Sequence, residues 1–426
     1  MTFFMIVIYI FSFLAVYVQV FFLVTFIEKR REINIRREDI ELPEYPTVTV
    51  IVPCYNEEKT VDITIDSLLT LNYPKDKLKI VIVDDGSKDG TWNQIQKYKD
   101  HPQVNIFHKE NGGKHTALNL GLEHADGEFV GCLDADSTVH PETLKRIITF
   151  FTNPDTMAVA PSIVIRDPKT MLQYAQRAEY DMAHYNKKML AFLDAIHVTP
   201  GPFSIFRRKV FDIIGPYRKA HHTEDQEIAL RMHQHGMKID HCPDGYVYTG
   251  SPSTIPKLYR QRVRWMYGFI KNATDYKYFF FRPKYGAIGM FTLPSGFISI
   301  SGTILLLSFT MINLYKYIST KILQIKTVGL HAPTAGNVFS VDLFFINTQA
   351  MIFISILLYM LVIAALINGR MMIADRRVLS WDILLFIIVY TVIAPFWLIR
   401  AVWNAITHKE ASWTGERDVL LNNPNV

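Results

Sequence analysis

Two pairs of acidic residues follow short apolar runs in the middle of this chain. Asp84 and Asp85 end one run, and Asp134 and Asp136 end another. A nucleoside diphosphate is strongly anionic. Proteins bind such groups with Mg²⁺ or Mn²⁺ held by one or two carboxylates together with the phosphates. Asp134 and Asp136 suit this chemistry, because two carboxylates at a backbone turn can reach a ribose and a metal ion. Each pair taken alone is more typical of an ordinary solvated turn.

A third acidic group, Glu224 and Asp225, opens a helix predicted over residues 223–235. Thr223 fits the N-cap position, and acids in the first turn interact favourably with the helix dipole. The same placement suits a general base, since a carboxylate within hydrogen-bond reach of a hydroxyl can take its proton as the oxygen attacks a sugar's anomeric carbon. The residues alone leave both interpretations open.

A glycine-rich turn ends in a lysine, whose positive charge suits a phosphate. Lys114 closes residues 111–114, where Gly112 and Gly113 let the backbone approach a phosphate or a base closely. The turn lacks the Walker spacing of glycine, lysine and serine or threonine, which disfavours ATP hydrolysis. The turn therefore indicates an anion-binding role without a P-loop.

The string QRVRW at residues 261–265 lies in an amphipathic helix predicted over residues 254–271. Gln261, Arg264 and Trp265 share one face of such a helix. Arginine can bind a pyrophosphate in bidentate fashion, and an indole can stack on a sugar ring. A basic helix lying on a membrane surface is the alternative interpretation, and both can hold at once.

The segment that carries the first acids alternates strand-like and helix-like patterns. Such alternation predicts an α/β domain with a mostly parallel sheet and helices on both faces. Ligands bind at the carboxyl ends of the strands in these sheets, which is where Asp84, Asp85, Asp134 and Asp136 lie. The predicted strands are residues 48–52, 79–83, 104–107 and 129–133, and the predicted helices are residues 57–71, 91–99 and 116–123.

Long apolar segments flank this domain. Residues 3–27 carry no charge and exceed the length of about 20 residues that a spanning helix needs. They lack the basic N-terminal region and the small-residue cleavage site of a signal peptide, so they are predicted to form a membrane anchor. Further apolar runs at residues 286–314, 341–367 and 381–405 predict three more spans, with residues 315–340 as a loop.

Basic residues next to the first span predict the orientation. The positive-inside bias places the N-terminus outside and the central domain in the cytoplasm, as in a multi-pass plasma-membrane protein. Three further spans would put the C-terminal tail outside, and Pro294 and Pro395 leave open whether one segment is interfacial or re-entrant. The basic residues are Lys29, Arg30, Arg31, Arg36 and Arg37.

Composition narrows the function classes. The 426 residues are 49% hydrophobic and 13% aromatic, and the net charge of +5 is partly explained by the basic residues beside the first span. That charge is weak evidence for nucleic-acid binding, and no nucleic-acid partner is expected. Cys54, Cys132 and Cys242 form no CxxC pair, which fits a reduced compartment and argues against a disulfide framework or a zinc site.

These patterns predict five regions along the chain. The candidate site residues fall in the second region and in the helix that follows it. The regions are an N-terminal anchor at 1–27, a cytoplasmic domain at 28–253, an amphipathic interfacial helix at 254–280, a membrane region at 281–410 and a polar tail at 411–426.

The chain resembles the processive membrane branch of family 2 glycosyltransferases. The resemblance lies in the order of four motifs: the two acidic pairs, the Thr-Glu-Asp string at 223–225 and QRVRW. That branch includes the synthases of cellulose, chitin, hyaluronan and poly-β-1,6-N-acetylglucosamine. The resemblance covers roughly residues 47–270. In length, with one N-terminal anchor, the chain most resembles the bacterial poly-N-acetylglucosamine synthases, as does the Trp-containing string at residues 412–417.

The resemblance implies a GT-A-like, Rossmann-like domain and a role for each motif residue. It also implies that the Gly201–Ser204 turn lies near the acceptor, and that the tail lies inside rather than outside. The implied nucleotide-sugar contacts are Tyr55 and Asp85 at the uracil, Glu57 and Lys114 near the nucleotide, Asp134 and Asp136 at the ribose and at Mg²⁺ or Mn²⁺, and Arg262 or Arg264 at the diphosphate. The implied catalytic base is Asp225, and the implied acceptor contacts are Glu224, Gln261 and Trp265.

We therefore expect the chain to be an inverting glycosyltransferase that uses a UDP-sugar, for which UDP-N-acetylglucosamine is the best candidate. It would extend an extracellular β-linked polysaccharide processively during export. Its expected partners are that donor, the growing polysaccharide or a lipid acceptor, membrane lipids and a small membrane partner subunit. Transfer of a single sugar to a lipid carrier is the nearest alternative. A non-catalytic transporter or scaffold is the alternative from another class, and it predicts ionisable residues within several spans, which are scarce here.

Overall fold

The computed structural model of the protein describes residues 3–33, 42, 44–328, 350–373 and 378–409. The predicted tail at 411–426 and the basic residues Arg36 and Arg37 lie outside the described residues. Within them, the sheet has eight strands, most of them short. The strands are β1 Val48–Cys54, β2 Leu78–Asp84, β3 Val104–His108, β4 Phe129–Cys132, β5 Ser137–Val139, β6 Thr156–Ile165, β7 Ile205–Arg207 and β8 Lys238–Thr249.

The sheet has the order β3-β2-β1-β4-β7-β6-β8-β5. β1 pairs in parallel with β2 and β4, β2 pairs in parallel with β3, and β6 pairs in parallel with β8. β7 runs antiparallel to its neighbours β4 and β6, and β5 runs antiparallel to β8. The predicted α/β fold with a mostly parallel sheet is therefore confirmed, and all of its predicted strands form.

The strand register brings the acidic pairs to one edge. Cys54 at the end of β1 pairs with Asp84 at the end of β2, and Ile51 pairs with Cys132 at the end of β4. The central strands are apolar and buried on both faces, as parallel strands covered by helices are. The residues that follow β1, β2 and β4 consequently emerge together at the carboxyl edge of the sheet.

Helices cover the sheet and continue into the apolar regions. In the domain they are α2 Val61–Leu69, α3 Thr91–Gln96, α4 Lys114–Glu123, α5 Thr143–Ile148, α6 Met171–Phe192, α7 Lys209–Ile214 and α8 Glu224–Gln234. The remaining helices are α1 Phe3–Ile33, α9 Ile255–Asp275, α10 Leu293–Val328, α11 Ala350–Met371 and α12 Asp382–Thr407. α9 forms most of the predicted amphipathic segment.

Part of the C-terminal region differs from the prediction. The expected loop at 315–340 was wrong for residues 315–328, because α10 continues to Val328, and residues 329–340 lie outside the described residues. No glycine or proline interrupts the chain between Gly302 and Gly329, so the polar residues there lie on a continuing helix rather than in a loop. The 22-residue helix α6 was not predicted by any sequence pattern.

Four helices among the described residues are long and apolar enough to cross a membrane. Their number equals that of the predicted apolar segments. They are Ile6–Ile33, Ile288–Thr327, Ile352–Met371 and Asp382–Thr407. The fourth packs closely on the domain, since Ile383 and Phe386 contact α6 while Trp397 and Leu398 contact α9.

A buried ion-pair network joins α6 to the membrane helices. Arg370 Nε at the end of α11 lies 2.9 Å from Asp181 Oδ2 on α6, and both side chains are at most 2% exposed. Asp382 at the start of α12 lies 2.7 Å from Arg370 Nη2 and 2.7 Å from Arg177 Nη2. Removing one partner from such a network leaves a buried charge uncompensated, so the network fixes α6 against both helices.

We expect Gly369→Ala to destabilise the packing of α11 against α6. A Cβ at Gly369 would lie 1.9 Å from the Asp181 carbonyl oxygen. Overpacking costs about 1–3 kcal/mol or more, which exceeds the gain of about 1 kcal/mol from replacing a helical glycine. The thermal unfolding midpoint of the detergent-solubilised full chain should fall. Gly250→Ala is the control, because no heavy atom lies within 4 Å of its added Cβ; equal midpoints for both variants would contradict the prediction.

Candidate active site

Lys114 joins two acidic groups that are far apart in the chain. Its Nζ lies 2.6 Å from Asp134 Oδ1 and 3.1 Å from Glu224 Oε1. Burial lowers the pKa of Lys114, but the charges of Asp134 and Glu224 outweigh it and raise the pKa well above its usual value. The ammonium group therefore stays charged and holds the turn after β4 against the start of α8.

Asp85 shapes the turn that presents Lys114. Its carboxylate accepts hydrogen bonds from the Gly113 amide at 2.8 Å, from the Gly112 amide at 3.1 Å and from Lys109 Nζ at 2.6 Å. Gly113 has a φ of 92°, a conformation that glycine adopts at little cost. Asp85 thus fixes the backbone before α4, and its contact with a uracil stays a prediction.

The turn that begins at Gly201 packs directly against the lysine bridge. A Cβ at Gly201 would lie 2.7 Å from Lys114 Nζ and 3.0 Å from Asp134 Oδ2, so a side chain here would displace the ion pair. The buried Phe203, with a φ of 63°, donates its amide to the Cys132 carbonyl at 2.6 Å and ties the turn to β4. The sequence pointed to this turn but not to its contact with Lys114.

Three carboxylates crowd the same edge of the sheet. Desolvation by the surrounding protein and the charge of Asp134 raise the pKa of Asp136. Burial, together with the charges of Asp136 and Asp134, also raises the pKa of Glu57, although a hydrogen bond from Thr60 opposes this. Glu57 and the half-buried Tyr55 follow β1 at this edge. Mutual repulsion of this kind is relieved when a cation binds.

The carboxylates fit a divalent cation that also has phosphate ligands. In the described part of the chain, no three side chains of His, Cys, Asp or Glu converge closely enough to hold an ion alone. Magnesium is usually bound by one or two carboxylates plus substrate phosphates, so Asp134 and Asp136 are a sufficient protein contribution. Their role as metal ligands stays a prediction.

Asp225 occupies the first turn of α8 beside this cluster. Its carboxylate accepts a hydrogen bond from the Gln226 amide at 2.9 Å, and Thr199 donates to its carbonyl through both amide and hydroxyl. Burial and the charge of Glu224 raise the pKa of Asp225 to about 6, although Lys114 and Arg264 act in the opposite direction. A carboxylate with a pKa near neutrality suits general base catalysis.

Two further basic residues that the sequence did not single out are Lys187, which lies near Asp225, and His197, which lies near Lys187. Burial lowers the pKa of Lys187 on α6 to about 8, with Asp225 opposing the shift. Burial and the charge of Lys187 lower the pKa of His197 to about 4, so this imidazole is neutral at physiological pH. No motif marked either residue: Lys187 lies on α6, which was not predicted, and His197 lies in the segment between α6 and β7.

The two arginines of QRVRW face different surroundings. Arg264 Nη1 donates to the His222 carbonyl at 3.2 Å, and its charge acts on Asp225 and Glu224. Arg262 instead pairs with Glu179 on α6. The structure therefore brings Arg264 to the acid cluster, whereas Arg262 is held at a neighbouring helix. The contact of either with a diphosphate stays a prediction.

Trp265 and Gln261 belong to the surroundings of Arg262. The guanidinium carbon lies 4.2 Å from the Trp265 ring centroid, and Nη1 donates to Gln261 Oε1 at 3.1 Å. Burial raises the pKa of Tyr180 on α6, and the charges of both Arg262 and Asp136 act on this phenol. Arg262, which stacks on Trp265, and Asp136 of the acid cluster therefore both lie near Tyr180.

Comparison with known proteins identifies the part of the domain that carries Lys114 and the acids at the strand ends. Residues 49–215 match the family model described as Glycosyl transferase family 2. The chain is 31% identical over 244 residues to the poly-beta-1,6-N-acetyl-D-glucosamine synthase of Staphylococcus aureus (strain COL), a match covering 57% of this chain and 58% of the relative. It is 32% identical over 224 residues to the synthase of that name from Staphylococcus epidermidis, covering 52% and 54%. The match thus spans little more than half the length of these relatives.

A solved structure shows the same fold. The mannosyltransferase PcManGT of Pyrobaculum calidifontis, solved in complex with GDP-Man and Mn²⁺, superposes with a TM-score of 0.61 at 19% identity. The superposition covers 95% of this chain and 100% of that chain, which confirms the predicted GT-A-like fold flanked by apolar helices. The resemblance found in the sequence motifs is also confirmed: residues 49–215 form a domain of glycosyltransferase family 2.

Proposed function

We propose that this chain is a membrane-bound inverting glycosyltransferase that uses UDP-N-acetylglucosamine to extend a β-linked polysaccharide processively, coupled to export. One observation carries the proposal: Lys114 binds both Asp134 and Glu224, so the candidate donor-binding acids and the candidate base Asp225 belong to one cluster. The names of the staphylococcal relatives support this donor and this product.

The proposed reaction is a direct displacement at the anomeric carbon. Asp225 takes the proton of an acceptor hydroxyl, and the hydroxyl oxygen forms a bond to the anomeric carbon from the face opposite the diphosphate. The bond between that carbon and the diphosphate oxygen breaks, and its electron pair leaves with the nucleoside diphosphate. Arg264 and Lys114 supply the positive charge that stabilises the leaving group. The configuration at the anomeric carbon is inverted.

The donor site would include a divalent cation, Mg²⁺ or Mn²⁺, held by Asp134 and Asp136. The raised pKa of Asp136 beside Asp134 supports this, because crowded carboxylates favour a bound cation. When bound, such an ion neutralises charge on the leaving diphosphate. The Mn²⁺ named with the Pyrobaculum mannosyltransferase supports a divalent ion without choosing between the two metals.

The acceptor side of the proposal rests on α9. Trp265 stacks on the terminal sugar, with Gln261 and Glu224 as its polar contacts. The apolar helices that pack on α6 and α9 support a membrane location for the chain. The proposal places the chain in the plasma membrane and the domain in the cytoplasm, so that the polymer leaves the cell as it is made. Membrane lipids and a small membrane subunit that assists export complete the proposed set of partners.

Purified full chain with labelled UDP-N-acetylglucosamine and Mn²⁺ is expected to form a long polymer. A chelator should abolish the reaction, because removal of the divalent cation leaves the negative charge of the departing diphosphate without the metal that offsets it. Product size is measured by gel filtration and mass spectrometry. A single sugar on an extracted lipid would favour the non-processive alternative, and no transfer from any UDP-sugar would refute the proposal.

Asp225→Asn is expected to lower kcat by about 100-fold to 10,000-fold, the range for loss of a general base. The amide keeps the shape of the side chain but cannot take the acceptor proton. Binding of UDP, measured by calorimetry, should change little. Asp212→Asn, which removes an exposed carboxylate from α7, is the matched control. Full transfer by Asp225→Asn would show that the base is another residue.

The pH profile of kcat/KM should rise through about pH 6 and then level, because the base acts only when deprotonated and the pKa of Asp225 is about 6. The positive charge of Lys114 lowers that pKa, so Lys114→Met should shift the rising limb to higher pH. The negative charge of Glu224 raises it, so Glu224→Gln should shift the limb to lower pH. Shifts of equal sign in the two variants would contradict the assigned base.

A further inference from the structure

Arg262 is held by a set of contacts that does not include the acid cluster. Its side chain is 4% exposed, and Nη2 pairs with a carboxylate oxygen of Glu179. The Tyr390 hydroxyl donates to the same Glu179 oxygen at 2.5 Å and lies 3.4 Å from Arg262 Nη2. We call Glu179, Arg262 and Tyr390 the clamp. Each of its members comes from a different helix, α6, α9 and α12.

The clamp presents one planar cation to an indole. The Arg262 guanidinium carbon lies 4.2 Å from the Trp265 ring centroid, three residues further along α9. A guanidinium stacks on aromatic faces, whereas the compact ammonium of lysine does not offer a matching plane. Because Glu179 and Tyr390 fix the guanidinium, they also restrict where the Trp265 ring can lie.

Tyr390 is itself tightly positioned within an apolar helix. Its ring centroid lies 4.8 Å from that of Phe386 and 5.6 Å from that of Trp397, both on α12. The phenol hydroxyl therefore reaches Glu179 from a fixed site on a helix long and apolar enough to cross a membrane. A movement of α12 relative to α6 would change the contacts of Arg262 directly.

We propose that Arg262 is a positioning residue for Trp265 rather than a ligand of the diphosphate, and that Glu179 and the Tyr390 hydroxyl set its geometry. Acceptor binding then depends on Tyr390 of the apolar helix α12, because its hydroxyl helps to fix Arg262, which in turn positions Trp265. Because Trp265 binds the acceptor only in the proposed function, this inference rests on that function. The proposed donor site uses Arg264 and Lys114, neither of which belongs to the clamp.

The test compares acceptor and donor kinetics in the full chain reconstituted in nanodiscs. UDP-N-acetylglucosamine is the donor, and a short β-1,6-linked N-acetylglucosamine oligosaccharide is the acceptor. Arg262→Lys should raise the KM for the oligosaccharide about threefold to thirtyfold, from the size of a partly desolvated cation–π contact. The KM for the donor should stay within about twofold by the same reasoning, since the clamp does not touch the donor site.

Milder variants test the source of the geometry. Tyr390→Phe removes only a hydroxyl, and Glu179→Gln removes only a charge, so both should raise the oligosaccharide KM and shorten the product while the protein stays folded. Tyr259→Phe is the matched control, because it removes a hydroxyl that lies 3.5 Å from the Phe396 carbonyl of α12 and touches no part of the clamp. This control should have wild-type kinetics.

A double-variant comparison separates positioning from general damage. If Arg262 acts through Trp265, Arg262→Lys should have no further effect on the oligosaccharide KM in a Trp265→Ala background. A raised donor KM with an unchanged oligosaccharide KM would assign Arg262 to the diphosphate and overturn the inference, as would wild-type kinetics in Tyr390→Phe and Glu179→Gln. Failure of the wild type to extend the oligosaccharide would instead refute the proposed function.

Discussion

The ion pairs of Lys114 with Asp134 and Glu224 are the interactions on which the site depends. They join the carboxyl edge of the parallel strands to the first turn of α8, two parts of the chain that share no local sequence pattern. The bridge exists because Asp85 fixes the glycine turn before α4 and because Gly201 leaves room beside it. A single lysine thereby brings the candidate donor site and the candidate base into electrostatic contact.

That contact explains why the acids are not equivalent. Burial raises the pKa of Glu224, but the charge and hydrogen bond of Lys114, a backbone hydrogen bond and the charge of Arg264 together lower it below its usual value. Asp225 is one residue away, and burial together with the negative charge of Glu224 raises its pKa to about 6. An anionic donor would compete for Lys114 and Arg264, so donor binding and the protonation of Asp225 are coupled through the same two cations.

The sequence predicted those parts of the site that depend on local patterns. Asp134, Asp136, Glu224 and Asp225 stand at strand or helix ends, and such ends are recognisable from apolar runs and capping residues. It did not separate Arg262 from Arg264, because helix periodicity places residues on a face without saying which neighbour lies there.

Long-range packing decides the features that the sequence did not reveal. Glu179 and Tyr390 are more than two hundred residues apart in the chain and meet Arg262 only because α6 and α12 pack together. The room required at Gly201 is likewise set by Lys114 from a distant helix. Neither contact leaves a repeating pattern in the sequence, so a motif search finds the acids and the QRVRW string but not the residues that hold them.

A structure of the full chain in nanodiscs with UDP and Mn²⁺, determined by electron cryomicroscopy, tests the central claim most directly. We expect the ion between Asp134 and Asp136, the diphosphate within hydrogen-bond reach of Lys114 or Arg264, and Asp225 on the side of the ion that faces Trp265. A nucleotide bound away from this cluster, with Lys114 still paired to Asp134 and Glu224, would contradict the account.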